Sequence, residues 1–128
     1  MDNETANNLD GIGLKWDTLV NICGDEEMVC SIVEVFMEEG VYALEMIQKA
    51  AAARDAKELK LYCHRMKGTA RYIGDNDFVQ VCLDAELAAD EGDIDEAVRL
   101  SKKIKPITEK YLEFFKNDNW QQILKENS

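Results

Sequence analysis

The chain has 128 residues, 46% of them apolar and 32% charged, with seven glycines and a single proline. That length suits one domain that buries a core without disulfides or metal, and the scarcity of turn residues disfavours a sheet of many short strands. The apolar fraction argues against disorder along most of the chain, while a net charge of −11 disfavours nucleic acid and anionic lipid as ligands. No run approaches the roughly 18 apolar residues of a membrane span. The acidic start Met1-Asp2-Asn3-Glu4 is unlike the basic-then-apolar head of a signal peptide, so the protein is expected in the cytoplasm.

In chain order, residues 1 to 10 are polar and read as a flexible N-terminus. A short helix is predicted from Leu14 to Cys23, with Trp16, Leu19 and Val20 apolar and Gly24 as its stop. Asp25 starts a long helix reaching about Ala53. Its inward stripe is drawn through Met28, Ile32, Phe36, Ala43, Ile47 and Ala50, broadened by Val29, Val33, Val35 and Met46. Asp55 caps the next helix, with Glu58 three residues on as in a capping box. Here Ala56, Leu59, Cys63, Met66, Ala70 and Ile73 step at helical spacing until Gly74. Asp75 or Asn76 caps a fourth helix through Phe78, Val81, Cys82, Ala85 and Ala89, halted by Gly92. Asp93 caps a fifth, with Ile94, Ala97, Val98, Ile104, Tyr111, Leu112 and Phe115 inward. Pro106 lies inside that stripe and should kink or split it. After Asn117-Asp118-Asn119, Trp120, Ile123 and Leu124 form a short terminal turn or helix. Connections of two to four residues force successive helices to run antiparallel. The expected fold is all-α, an antiparallel up-down four-helix bundle with a short extra N-terminal helix.

The charge is unevenly spread. Arg54 to Arg71 holds six basic residues (Arg54, Lys57, Lys60, Arg65, Lys67, Arg71) and two acidic ones, so this segment is +4 in an acidic chain. On a wheel at about 100° per residue, the apolar stripe of this helix occupies one side. Beside it, on a face read as solvent-side, lie Lys57, Lys60, His64, Lys67, Gly68 and Arg71, and no carboxylate is expected there. Gly68 sits one turn after the chain's only histidine, in a helix interior where glycine costs about 0.5–1 kcal/mol relative to alanine. It clears the space beside the imidazole. Lys67 at i+3 offers a cation to whatever anion the ring meets. A lone exposed histidine, a lysine-rich stripe and a mid-helix glycine each have bland explanations. Their coincidence on one face points to phosphate handling, because imidazole is nucleophilic at neutral pH and cations offset charge on transferring oxygens.

Cys23, Cys30, Cys63 and Cys82 form no Cys-x-x-Cys pair and read as small core residues in a reducing compartment. Cys63 and His64 are adjacent, but neighbours on a helix point about 100° apart and rarely share a metal. No metal site is expected. There is also no GxxxxGK[ST] loop or other nucleotide fingerprint.

The segment HRMKGTARYIG, His64 to Gly74, resembles the signature of histidine-containing phosphotransfer (HPt) domains, His-x-hydrophobic-Lys-Gly-Ser/Thr-Ala-x-x-hydrophobic-Gly. GDEEMVCSIVEVFMEE resembles the family's second helix, and Cys82 to Asp93, with Glu86 and Gly92-Asp93, its fourth-helix end. The resemblance runs from Trp16 to Tyr111. It implies His64 as the phospho-accepting residue with Nε2 as the phosphorylated nitrogen, Lys67 as the cation steadying the phosphoryl group, and Gly68 as the clearance residue. Asp75 stands where the family often has Ala, Ala85 where Leu is usual, and Tyr72 where a small or polar residue is common. Asp75 and Tyr72 are expected near the docking surface, tuning partner choice.

Taken with the resemblance, residues 11–117 read as the HPt four-helix-bundle domain and 118–128 as a short C-terminal helix or tail. The expected function is that of a phosphorelay intermediate, a phosphoryl carrier with no cofactor or nucleotide site of its own. The resemblance implies response-regulator receiver domains, or a hybrid sensor histidine kinase, as partners, with Mg²⁺ held by the receiver. Lys57, Lys60, Leu61, Arg71 and Tyr72 are the expected docking contacts, the basic island facing an acidic pocket. A small acidic bundle without an extra apolar seam is expected to be monomeric. The competing readings are a non-catalytic helical docking module, the phospho-accepting domain of a larger kinase phosphorylated by its ATP-binding domain, and, more remotely, a Cys/His metal site.

Overall fold

The computed structural model describes residues 12–127, and the N-terminal residues read as flexible lie outside them. Among the described residues there are seven helices and no strand: α1 Trp16–Cys23, α2 Glu26–Ala52, α3 Ala56–Tyr72, α4 Asn76–Asp90, α5 Ile94–Ser101, α6 Ile104–Phe115 and α7 Trp120–Glu126. The all-α reading is correct. No described helix is long and apolar enough to cross a membrane.

One local device makes four of the turns. A residue with positive φ reverses the chain and an aspartate directly after it caps the next helix. The pairs are Gly24-Asp25, Arg54-Asp55, Gly74-Asp75 and Gly92-Asp93. In each, the aspartate accepts from the backbone N–H three residues on, at Met28, Glu58, Phe78 and Glu96, which satisfies an otherwise orphaned donor. Arg54 (φ 52°) does without the freedom that glycine supplies at the other three turns. The second half of the expected capping box is not formed, since the Asp55 N–H donates to the Ala50 carbonyl.

Pro106 splits the last predicted helix, as anticipated. The break falls at Lys102-Lys103 and leaves the proline in the first turn of α6, where its missing N–H would have had no partner anyway. Helix α1 starts at Trp16, two residues later than predicted. Leu14 is nevertheless buried, in the extended lead-in.

The buried line of α2 differs from the one drawn from sequence. Met28 and Val35 are exposed and Ile32 is only partly covered. The line runs instead through Val29, Val33, Phe36, Gly40, Ala43, Ile47 and Ala50. Both lines have helical spacing, so periodicity alone did not choose between them. The real one uses Gly40 as a packing position: a Cβ there would stand 3.8 Å from Thr108, 3.9 Å from Phe36 and 4.0 Å from Leu112.

The core is continuous from Leu14 to Leu124. At its centre Tyr111 stacks on Phe78 and meets the edge of Phe36. Its hydroxyl donates to Asp75 and accepts from the Gly13 N–H at 2.9 Å. Asp75 is therefore buried, and its expected place near a docking surface is wrong. This carboxylate ties the lead-in segment, α6 and the start of α4 together. The terminal helix joins the same core, Trp120 meeting Phe115 edge-on, while Lys125 reaches back over Trp16 at 4.8 Å.

Candidate functional site

Helix α3 lies between α2 and α4, and its side-chain partners show both neighbours running against it. On one flank Glu39 pairs with Arg65 and Tyr42 meets Tyr62. On the other, Asp90 pairs with Lys60 and Glu86 with His64 and Lys67. What remains open is a ridge along α3 with His64 near its middle.

The His64 side chain is 62% exposed and its Nδ1 stands 2.9 Å from Glu86 Oε2. The other oxygen of the same carboxylate, Oε1, is 2.8 Å from Lys67 Nζ. An ionised carboxylate only accepts, so Nδ1 carries the shared proton, and in the neutral imidazole this tautomer leaves the Nε2 lone pair free. Glu86 and Lys67 are 13% and 10% exposed, so this ion pair is shielded while the ring it steadies faces solvent. Burial pushes the Glu86 carboxyl up, but hydrogen bonds from Lys67 and His64, with their charges, outweigh it and hold the group below its ordinary range.

The other predicted site residues lie along the open side of α3. A Cβ at Gly68 would meet nothing within 4 Å, so the shoulder beside His64 is open. Leu61 and Tyr72 are 47% and 50% exposed. Lys57 and Arg71 are exposed and have no ion pair among the described residues. Together Lys57, Glu58, Lys60, Leu61, His64 and Glu86 line a groove of about 420 Å³ running from the histidine toward the start of α3.

Two expectations need correction. Lys67 is not on the solvent face: it stands at the margin of the α3 wheel, where α4 packs, and its ammonium is turned in to Glu86. Nor is the basic island a free positive surface. Arg54 pairs with Asp95, Lys60 with Asp90 at 2.7 Å, Arg65 with Glu39 at 2.8 Å, and Lys67 with Glu86. A one-helix wheel cannot register carboxylates that α2, α4 and α5 bring in. Arg65 is further occupied over the Tyr42 ring, 5.1 Å from its centroid.

Glu86 is the carboxylate at the candidate site that this wheel missed, although the signal was present. It stands four residues after Cys82 and three before Ala89, on the edge of the α4 apolar stripe. A carboxylate in that position requires a cation or donors from another element. The cysteines also divide more than predicted. Cys63 and Cys82 are buried, Cys23 is half-buried, and Cys30 is exposed on α2. Burial, with the Glu86 charge, pushes the Cys63 thiol up to about 12, which keeps it protonated and unreactive. Cys63 points into the core while its neighbour His64 points out. Among the described residues no three His, Cys, Asp or Glu side chains are gathered as a metal set.

A helical domain presenting one exposed imidazole, oriented by a carboxylate and flanked by a lysine and a cleared glycine, belongs with proteins that handle phosphoryl groups on histidine. The family model for the Hpt domain matches residues 31–114, and the chain belongs to that family of phosphocarrier modules, which serve histidine phosphotransfer in two-component signalling. No curated protein and no solved structure matches the chain.

Proposed function

We propose that this chain is a phosphorelay intermediate that takes a phosphoryl group onto His64 from a receiver-domain aspartate and gives it to another. The observation that carries the reading is the Glu86 carboxylate on His64 Nδ1. It keeps the proton on the inner nitrogen and directs the Nε2 lone pair outward at an exposed position. In the forward step that lone pair attacks phosphorus, a nitrogen–phosphorus bond forms, and the acyl-phosphate P–O bond breaks. The receiver's aspartate leaves as a carboxylate. The Nδ1 proton stays on the ring, where Glu86 offsets the positive charge that develops. Lys67, held on the same carboxylate, supplies a cation for the phosphoryl oxygens, and the bare Gly68 backbone lets the partner approach. The return step reverses these bonds. Neither direction needs a nucleotide, and Mg²⁺ belongs to the receiver.

The packing supports the four-helix reading, with α2, α3, α4 and the broken pair α5–α6 as its members and α1 added at the end. We take the domain to act as a monomer in the cytoplasm, where four unpaired cysteines suit a reducing compartment.

The deciding experiment mixes the chain with a phosphorylated receiver domain and Mg²⁺, with His64→Gln in parallel. Acid-labile, base-stable phosphate on the wild type and none on the variant is the expected result. Receivers that bind but pass no label would make the domain a docking module, and label surviving in His64→Gln would place the acceptor elsewhere.

A further inference from the structure

The six basic residues of the +4 segment are not equivalent. Four are held by carboxylates on other helices, and Lys57 and Arg71 alone are exposed with no ion pair among the described residues. These two stand seven residues before and seven after His64. Seven residues bring an α-helix back to within about 20° of its starting direction, so the three side chains line one edge of α3, the outer two about 21 Å apart. Leu61 and Tyr72 lie beside that edge, half-exposed, and Gly68 leaves a gap between them. On a chain of net charge −11, two free cations set symmetrically about the reacting ring are a local exception to a field that repels acidic partners. Lys60 is nearer to the histidine in sequence, but Asp90 at 2.7 Å already cancels it.

We propose that Lys57 and Arg71 orient the receiver on this chain by meeting acidic side chains on either side of its phosphoryl-bearing aspartate, and that Asp90 withdraws Lys60 from the contact. The proposal takes its partner from the carrier reading above. It narrows the complementary surface to one with two separated acidic groups, apolar between them. Receivers with a uniformly acidic face are repelled by the rest of this domain, and receivers lacking either flanking group dock without a fixed register.

The test uses the full chain and a labelled, phosphorylated receiver domain with Mg²⁺, read as transfer rate against receiver concentration in dilute and concentrated salt. Affinity for the same receiver without phosphate is measured by calorimetry. Lys57→Ala and Arg71→Ala should each lower the rate at limiting receiver about three- to tenfold in dilute salt, the loss shrinking as screening rises. The rate at saturating receiver should fall less than the rate at limiting receiver, by the share of complexes that dock out of register. Lys60→Ala should lose less than either, and Asp90→Asn, which releases Lys60, should bind about two- to threefold tighter. Wild-type behaviour of both Lys57→Ala and Arg71→Ala, or losses indifferent to salt, overturns the proposal. If no label moves but the affinities follow the predicted order, the carrier reading fails and the orienting role of the two cations stands.

Discussion

With one oxygen on His64 and the other on Lys67, the Glu86 carboxylate has two roles that substitution separates. Glu86→Ala leaves a shielded ammonium without its partner, a change costing about 3 kcal/mol, read as a lower urea midpoint. Glu86→Gln keeps much of the packing and removes the charge, so its main effect falls on transfer, lowered about 10- to 100-fold as for other residues that orient a reactive imidazole. The acid limb follows from the same contact. The Glu86 carboxyl titrates below its ordinary value of 4.5. A group whose folded pKa is lowered stabilises the fold above the unfolded value, and that stability is lost as pH falls through the folded one. Below pH 4.5 the urea midpoint of the wild type should fall more steeply than that of Glu86→Gln.

The two glycines inside helices make a paired test of structure against function. A Cβ at Gly40 would stand at ordinary contact distance from its neighbours and one at Gly68 would meet nothing. Both alanine variants should therefore gain about 0.5–1 kcal/mol of stability from helix propensity. Only Gly68→Ala should slow phosphotransfer, since its methyl group fills the shoulder where the partner backbone would approach. Equal transfer by both variants would remove the clearance role assigned to Gly68.

At the scale of elements, the positive-φ residue followed by a capping aspartate recurs at four turns, but the four aspartates do not carry equal loads. Asp25, Asp55 and Asp93 cap exposed helix starts, and replacing any one by alanine should cost about 1 kcal/mol. Asp75 also accepts from the buried Tyr111 hydroxyl. Asp75→Ala should therefore cost about 3 kcal/mol, its lost cap compounded by a stranded buried hydroxyl. Chemical denaturation of the four variants would rank them. These turns were legible in the sequence because Gly-Asp before an apolar stripe is a local signal. Arg54 escaped it, having no glycine to announce the reversal. The second load on Asp75 was not legible either, because Tyr111 lies 36 residues away and only packing brings the two together.

For the whole molecule, a net charge of −11 and a ridge carrying two free cations predict opposite salt dependences. Screening relieves the self-repulsion of the acidic fold, so the urea midpoint should rise from dilute to concentrated salt. Association with a receiver should weaken over the same range. The exposed pairs Arg54–Asp95 and Lys60–Asp90 do not reverse the first trend, because such contacts contribute about 0–1 kcal/mol each.

What the sequence by itself determined was local: helices spaced by capped turns, a break in the last long stripe ahead of Pro106, and His64 and Gly68 together on one face of α3. All of these follow from spacing along a single helix or from the chemistry of two or three adjacent residues. Tertiary structure decided which of two equally periodic lines α2 buries, that Asp75 is a core brace, that Glu86 holds the imidazole, and that of the six basic residues from Arg54 to Arg71 only Lys57 and Arg71 have no ion pair among the described residues. Each of these depends on what a neighbouring helix places opposite a side chain. Helical periodicity specifies the direction in which a residue points, and only packing specifies what it meets there.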